Sequence, residues 1–173
     1  MTTNENYLFC TDPPWIYLGP GEVARAGVIP TTFYSRPGLN VCVRVLRGWK
    51  MVTTKALMDE FGAALQFFEE FGENWFALRE CLEYLDEWLP ADAYVLIIEG
   101  AESALAAESQ EQIAALLRTL QDVGEWWSKP ITDNDRFNRN KIPFHTLLHT
   151  RTHNSNADRI VLAAKEQKIS VRF

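Results

Sequence analysis

A run of six apolar residues at positions 93–98 (AYVLII) constrains the fold more than any other segment of this chain. Its shortness and its β-branched members are typical of a strand that is covered on both faces, as in the middle of a parallel sheet. Residues 39–46 (LNVCVRVL) alternate in the manner of a strand and end before Gly48, and residues 142–148 (IPFHTLL) carry a third strand pattern. The core is therefore expected to form around three strands.

The segments between these strands repeat their apolar residues with the helical period. Helices are predicted over residues 53–71, 74–88 and 109–127, and a short terminal helix could span 157–167, followed by a last strand or a loose end. Gly72 is expected to end the first helix, and Ser109 with Gln112 to form a capping box on the third. Strands that alternate with helices predict an α/β fold, here a small three-stranded parallel sheet with right-handed helical crossovers.

Three parts are predicted along the chain. Residues 1–39 contain DPPW, LGPGE and FYSRPG, and they are too rich in aromatic residues for a disordered tail. We interpret them as an ordered N-terminal extension with one or two short strands. Residues 40–150 are expected to form the main domain, and residues 151–173 a basic C-terminal segment.

Charge is distributed unevenly along the 173 residues. Residues 1–128 contain 8 basic and 19 acidic residues, whereas residues 129–173 contain 9 basic and 4 acidic ones. Direct nucleic-acid binding by the body is therefore not expected, because phosphate contacts require clustered Lys and Arg. The basic tail could touch nucleic acid, but a solvated segment, or one folded back onto the acidic body, is favoured.

Membrane and export signals are also not apparent. No apolar run approaches the roughly 18 residues of a membrane span, and the N-terminus lacks a signal-peptide pattern. The three cysteines are odd in number and stand at no metal-ligand spacing. Together these features predict a reduced, cytoplasmic protein that binds no membrane.

Motifs of enzymes and cofactor sites do not occur in the sequence, which has no GxGxxG, Walker, GxSxG, HExxH or CxxC pattern. His145, His149 and His153 would share a helix face and suit a metal, but their neighbours predict a strand that separates them. Cys81 is expected to be a packed, inert thiol rather than a nucleophile. Carboxylates on an exposed helix are ordinarily solvated rather than catalytic. We therefore predict no enzyme activity, no cofactor and no metal.

The second predicted helix and the turn before it are unusually acidic. Positions 69–87 hold seven carboxylates and one base, Arg79. A helix that merely confers solubility is the simpler explanation, but such helices ordinarily intersperse Lys, because like charges repel one another. Phe76 follows the core-facing Trp75 and is expected to point outward. An exposed aromatic ring among carboxylates has the anatomy of a protein interface and suits a basic partner.

The same segment, FGENWFALRECLEYLDEW, resembles the central motif of the barstar family of ribonuclease inhibitors. That motif reads approximately aromatic-G-x-N-hydrophobic-D-A-L-x-D/E-C-L. The positions that match are Phe71, Gly72, Asn74, Trp75, Ala77, Leu78, Glu80, Cys81 and Leu82. The resemblance covers about residues 40–150. It implies a small three-stranded parallel sheet and an acidic helix that plugs the active site of a guanyl-type ribonuclease, with carboxylates in its phosphate subsites.

The chain departs from the family pattern at several contact positions. Phe76 stands where the family's type member has Asp, Arg79 where it has Trp, and Glu70 where it has a second aromatic residue. Glu80 is one methylene longer than the Asp at its position. The family's acid on the later helix falls near Thr119. Of the motif's contact carboxylates only Glu80 carries over, and other acids of the helix could supply charge from new positions.

The function predicted from this resemblance is inhibition of a ribonuclease, as a cytoplasmic immunity protein or antitoxin. The partner is expected to be a basic nuclease toxin domain. The predicted contact residues are Glu70, Glu73, Asn74, Phe76, Arg79, Glu80, Glu83 and Asp86. Among them Glu80 is expected to be the principal charge, Phe76 the apolar anchor and Arg79 a specificity element. The alternatives are a scaffold or regulatory binding module whose partner is not a nuclease, and an enzyme with acidic residues in a cleft.

Overall fold

The computed structural model describes residues 5–20, 37–132 and 138–172. Its strands are β1 (Ile16–Pro20), β2 (Val41–Arg47), β3 (Ala93–Glu99), β4 (Phe144–Thr150) and β5 (Val171–Arg172). Its α-helices are α1 (Thr54–Leu65), α2 (Trp75–Glu83), α3 (Gln110–Trp127) and α4 (Ser155–Glu166). Short 3-10 helices span Glu5–Phe9, Gly48–Lys50, Leu85–Glu87 and Ala101–Ser103. The strands pair in parallel in the order β2-β3-β4-β1-β5.

The sheet is larger than predicted, although the α/β class is confirmed. The three expected strands occur as neighbours β2, β3 and β4, but β1 of the N-terminal extension adds a fourth, and the two-residue β5 lies beyond it. Tyr17 of β1 lies opposite Leu147 of β4. The prediction of three strands was wrong because Pro and Gly interrupt the extension. The stretch of alternating apolar and polar residues that remains is too short to show which strand it would pair with.

β3 is the buried strand that its apolar run predicts, and all of its residues are buried. Tyr94, Leu96 and Ile98 lie in the main core together with buried residues of all four α-helices. On the opposite face, Val95 and Ile97 form a second cluster with Leu8 and Leu147. The extension therefore supplies both a strand to the sheet and part of the cover over its second face.

Two predicted helix ends and one predicted helix cap were wrong. α1 ends at Leu65, because Gln66 takes the left-handed conformation (φ 57°) that we assigned to Gly72. α2 ends at Glu83, and the chain continues as the 3-10 helix Leu85–Glu87. Ser109 precedes α3 without a side-chain capping bond. The Gln112 side chain is engaged elsewhere, since its Oε1 accepts a hydrogen bond from the Trp75 indole at 2.8 Å.

Gly48 ends β2 as predicted, and the structure gives the reason. A Cβ at this position would collide with the backbone carbonyl oxygen of Gly100. The turns that follow β2 and β3 therefore approach each other too closely for any side chain at this point. Gly100 itself has a φ of +65°, which glycine adopts without strain.

The basic C-terminal segment folds back onto the body, which is one of the two arrangements predicted. Ile160 and Ala163 of α4 are buried in the main core. Arg159 Nη2 donates to the Glu108 carbonyl oxygen at 2.6 Å, and the Arg151 guanidinium lies 4.2 Å from the Trp49 ring. The division of the chain at residues 39 and 150 stays a prediction.

The three histidines do not gather at one place. His145 lies in β4, where its Nε2 is 2.8 Å from the Cys10 carbonyl oxygen and burial lowers its pKa. The His149 Nδ1 is 3.1 Å from Glu99 Oε1, whereas His153 is exposed beside Asp158. Within the described ranges, no three His, Cys, Asp or Glu side chains are grouped to hold a metal. None of the helices described there is long and apolar enough to cross a bilayer.

An ion pair between Arg47 and Glu60 ties the end of β2 to α1. Arg47 Nε and Nη2 donate to the two carboxylate oxygens at 2.9 and 2.7 Å, and the Arg47 backbone N–H adds a third bond at 2.9 Å. These hydrogen bonds hold the pKa of Glu60 below its ordinary value of 4.5. A carboxyl whose pKa is depressed by folding stabilises the protein above its unfolded pKa, and this contribution is lost as the pH falls through the folded-state pKa.

Arg47→Met is therefore expected to lower the urea midpoint at about pH 7, and to have much less effect at an acidic pH below the folded-state pKa of Glu60, where the protonated carboxyl no longer pairs with Arg47. Urea unfolding at both pH values measures this difference. Lys141→Met, at an exposed position, is the control and should be neutral at both. Equal destabilisation by Arg47→Met at the two pH values would show that the ion pair is not its cause.

Candidate partner-binding surface

The turn before α2 is fixed by the Asn74 side chain. Its Oδ1 accepts a hydrogen bond from the Ala77 backbone N–H at 3.0 Å, and its Nδ2 donates to the Gly72 carbonyl oxygen at 2.9 Å. Asn74 is thus the N-cap of α2. Glu73, just before it, has a φ of 45°. The direction in which α2 leaves the turn is set by these local bonds.

The inner side of α2 is held to α3 by tryptophans. The Trp127 indole donates to the Leu82 carbonyl oxygen at 2.9 Å, and the Trp126 indole donates to the Glu83 carbonyl oxygen at 3.0 Å. Leu78 and Leu82 are fully buried below them. Trp127 is fully buried and Trp126 is partly buried against the main core, so α2 is firmly packed beneath the residues on its outer side.

Cys81 lies on this inner side, as predicted. Burial, followed by the charge of Glu80, raises the pKa of its thiol to about 11. The thiol is therefore protonated at neutral pH, and the interpretation of Cys81 as packed and inert is consistent with its setting.

The outer side of α2 presents the features expected of an interface. Phe76 is 76% exposed, the largest fraction among the exposed large hydrophobic residues of the described chain. Glu80 follows it one helical turn later and is exposed as well. We call the exposed residues of positions 69–87 the acidic surface. Its carboxylates that are exposed and form no ion pair with a described residue are Glu69, Glu70, Glu80 and Glu87.

Two predicted contact carboxylates are instead paired within the chain. Arg79 Nε donates to Glu83 Oε1 at 2.7 Å, and Arg79 Nη1 donates to Asp122 Oδ2 at 2.9 Å. The hydrogen bond to Glu83 is the main cause that raises the pKa of Arg79. Glu73 Oε2 lies 3.4 Å from Lys55 Nζ. Glu83 and Glu73 therefore have cationic neighbours of their own, and two of the eight predicted contact residues are partly neutralised within the chain.

The barstar (barnase inhibitor) family matches residues 41–149, from the first residue of β2 to the second-last residue of β4. The chain belongs to the barstar family. Curated proteins give no match to it. The predicted resemblance is confirmed, and the description of the family names inhibitors of barnase.

The position on α3 near which the sequence predicts the family's later acid does not reach the surface. Thr119 is buried (6% exposed) and cannot meet a partner. Asp122, three residues further along α3, is partly exposed and lies beside α2 through its bond to Arg79. Asp122 was not predicted as a site residue. Its spacing of three residues from Thr119 places it close to that position on α3, but only the packing of α2 against α3 shows that it reaches Arg79.

The sequence analysis also missed a shallow groove beside Glu80. Its volume is about 310 Å³, and its lining residues are Phe68, Glu80, Cys81, Tyr84, Glu87 and Trp88. The aromatic members were not predicted as surface residues, because Phe68 fits the period of a longer first helix. The early end of α1 at Leu65 leaves Phe68 in a turn with 53% of its surface exposed.

Asn74→Ala is expected to lower the free energy of unfolding by about 1 kcal/mol, because α2 loses its N-cap. Asn74→Ser keeps an oxygen that can accept from the Ala77 N–H and should retain most of the stability. Urea denaturation of the two variants measures the difference. Equal losses, or none in either variant, would contradict the capping role.

Proposed function

We propose that this barstar-family protein inhibits a ribonuclease by inserting its acidic surface into the cationic groove where the enzyme binds RNA. The observation that carries the proposal is the exposed Phe76 beside the exposed, unpaired carboxylate of Glu80 on a rigid helix. An aromatic anchor surrounded by charge is the usual core and rim of a protein interface. Glu80 supplies the principal charge and Phe76 the apolar anchor.

Charge complementarity selects the partner. The groove of a ribonuclease binds phosphates with cationic side chains, and carboxylates at similar positions satisfy the same groups. Residues 1–128 carry 19 acidic and 8 basic residues, so the body also attracts a basic partner over a distance. Because α2 is packed and capped before binding, little conformational entropy is lost when the complex forms.

Arg79 gives the surface its specificity in this proposal. It sits between Glu83 and Asp122 and places a positive charge on the face that meets a basic groove. A partner must therefore supply an acidic or neutral group opposite Arg79, or meet a repulsive contact. In the cell the protein would act in the cytoplasm, as an immunity protein or antitoxin that blocks a nuclease toxin domain. It would bind neither nucleic acid nor membrane directly.

The proposal is tested with barnase, the ribonuclease that the family description names, and with any nuclease domain that a neighbouring gene encodes. Each enzyme is titrated with the purified chain while cleavage of a fluorogenic RNA is followed. Cleavage is expected to fall linearly and to cease near one equivalent of the chain. Undiminished cleavage in the presence of a large excess would overturn the proposal.

A binding module without a nuclease partner is the second candidate. It is favoured by the two departures at the centre of the surface, Phe76 in place of an Asp and Arg79 in place of a Trp. If the chain forms a stable complex with a protein that has no nuclease activity, and protects no RNA, this candidate replaces the first.

A further inference from the structure

The groove beside Glu80 has walls of aromatic rings that are fixed in place. The Trp88 indole donates to the Leu65 carbonyl oxygen at 2.9 Å. Phe68 meets the Trp88 ring edge to face, with 5.9 Å between centroids and an interplanar angle of 84°. Phe67 contacts the same ring at 6.0 Å. Phe68 and Tyr84 nevertheless remain 53% and 39% exposed, so ring surface is left over for a ligand.

The polar part of the same groove is anionic. Glu80 and Glu87 line it, both are exposed, and neither forms an ion pair with a described residue. Among the described residues, none of those that line the groove is basic. Cys81 contributes no charge, because its thiol is protonated at neutral pH. The groove thus combines aromatic walls with two unpaired carboxylates.

We infer that this groove receives an arginine side chain of the partner protein. The inference rests on the proposed function only in taking that partner to be a ribonuclease. A guanidinium stacks on aromatic faces and donates to carboxylates in its own plane, and its methylene stem packs on apolar surface. An apolar side chain would remove water from Glu80 and Glu87 without replacing their hydrogen bonds. A lysine would satisfy the charge but lacks the planar stacking surface.

The groove thereby adds a second contact to the one made by Phe76. Glu80 belongs to both, because it lies one turn after Phe76 and also lines the groove. A partner recognised in this way must carry an arginine next to the site on its own surface that accepts Phe76. This requirement distinguishes partners that are equally basic overall, which net charge cannot do.

The inference is tested without any ribonuclease, using N-acetyl-arginine methylamide as the probe. Two-dimensional NMR of the ¹⁵N-labelled chain follows the Trp88 indole N–H. A saturable shift is expected, with a dissociation constant of about 10 mM for this single side chain. The citrulline analogue, which has the same shape without the charge, should give no saturable shift, and the lysine analogue should bind several-fold more weakly.

Phe68→Ala and Glu87→Gln are each expected to weaken probe binding at least about threefold. Leu162→Ala and Glu111→Gln, at exposed positions outside both the acidic surface and the groove lining, are the matched controls and should leave probe binding unchanged. Glu87→Gln keeps the test valid if Phe68→Ala disturbs the fold. The inference is overturned if the probe gives no saturable shift, if the citrulline analogue binds equally, or if both groove variants bind like the wild type.

The two proposals fail in different experiments. Arginine binding without protection of RNA would reject the ribonuclease partner and leave the groove assignment standing. Protection of RNA without arginine binding would leave the function standing and reject the groove.

Discussion

Glu80→Lys is expected to weaken binding of the ribonuclease partner by about a hundredfold or more, because a charge at the centre of the acidic surface is reversed. The side chain is exposed and makes no ion pair with a described residue, so the fold should be unaffected. In the proposed complex this carboxylate takes the place of a phosphate of RNA. In the variant, an ammonium group would face the cations of the enzyme. Titration calorimetry of both proteins measures the difference in affinity.

The matched control for this prediction is Glu111→Lys. Glu111 is also an exposed glutamate and lies in the first turn of α3, outside the acidic surface. Glu80→Lys and Glu111→Lys change the net charge by the same amount. A loss of affinity that is common to both variants therefore measures only the long-range electrostatic attraction between the two proteins, which salt screens. Similar losses in the two variants would show that Glu80 is not a contact residue.

Ile16→Ala is expected to lower the free energy of unfolding by about 2–5 kcal/mol, the usual cost of removing a large aliphatic side chain from a core. Ile16 is fully buried in the main core, and its strand β1 lies between β4 and β5. The residue nevertheless belongs to the extension, outside the segment that matches the barstar family. Urea denaturation followed by circular dichroism measures the effect.

Leu162→Ala is the control for Ile16→Ala, because Leu162 is a similar aliphatic residue that is 48% exposed on α4. It should cost much less than Ile16→Ala, since less apolar surface leaves the protein interior. If the two variants lose the same stability, β1 is not part of the cooperative fold. The predicted division between the N-terminal extension, residues 1–39, and the main domain would then be supported.

The central strands could be predicted because their signals are local. The apolar run of β3 reflects burial along its whole length, whereas the alternation of β2 belongs to a strand at the edge of the sheet in which only Leu46 is buried. The end of α1 could not be predicted, because Gln66 adopts a conformation that favours glycine, while Gly72 occupies the turn before α2. The packing of Phe67 and Phe71 against the main core accompanies this early end.

The candidate site was predictable only in part. The exposure of Phe76 follows from its position next to a core-facing residue on a helix, and this prediction is confirmed. The pairing of Arg79 with Asp122 joins two helices, and the groove joins α2 to the turn after α1. Contacts between separate elements leave no periodic signal in a sequence, so they became visible only in the structure.

The most direct measurement of the central claim is the apparent inhibition constant of this chain for the partner ribonuclease at several concentrations of RNA substrate. If the acidic surface occupies the RNA-binding groove, the apparent inhibition constant must rise linearly with the concentration of RNA, because RNA and inhibitor compete for the same site. An apparent inhibition constant that does not depend on the concentration of RNA would place the inhibitor outside that groove and contradict the account, as would cleavage that does not change at all.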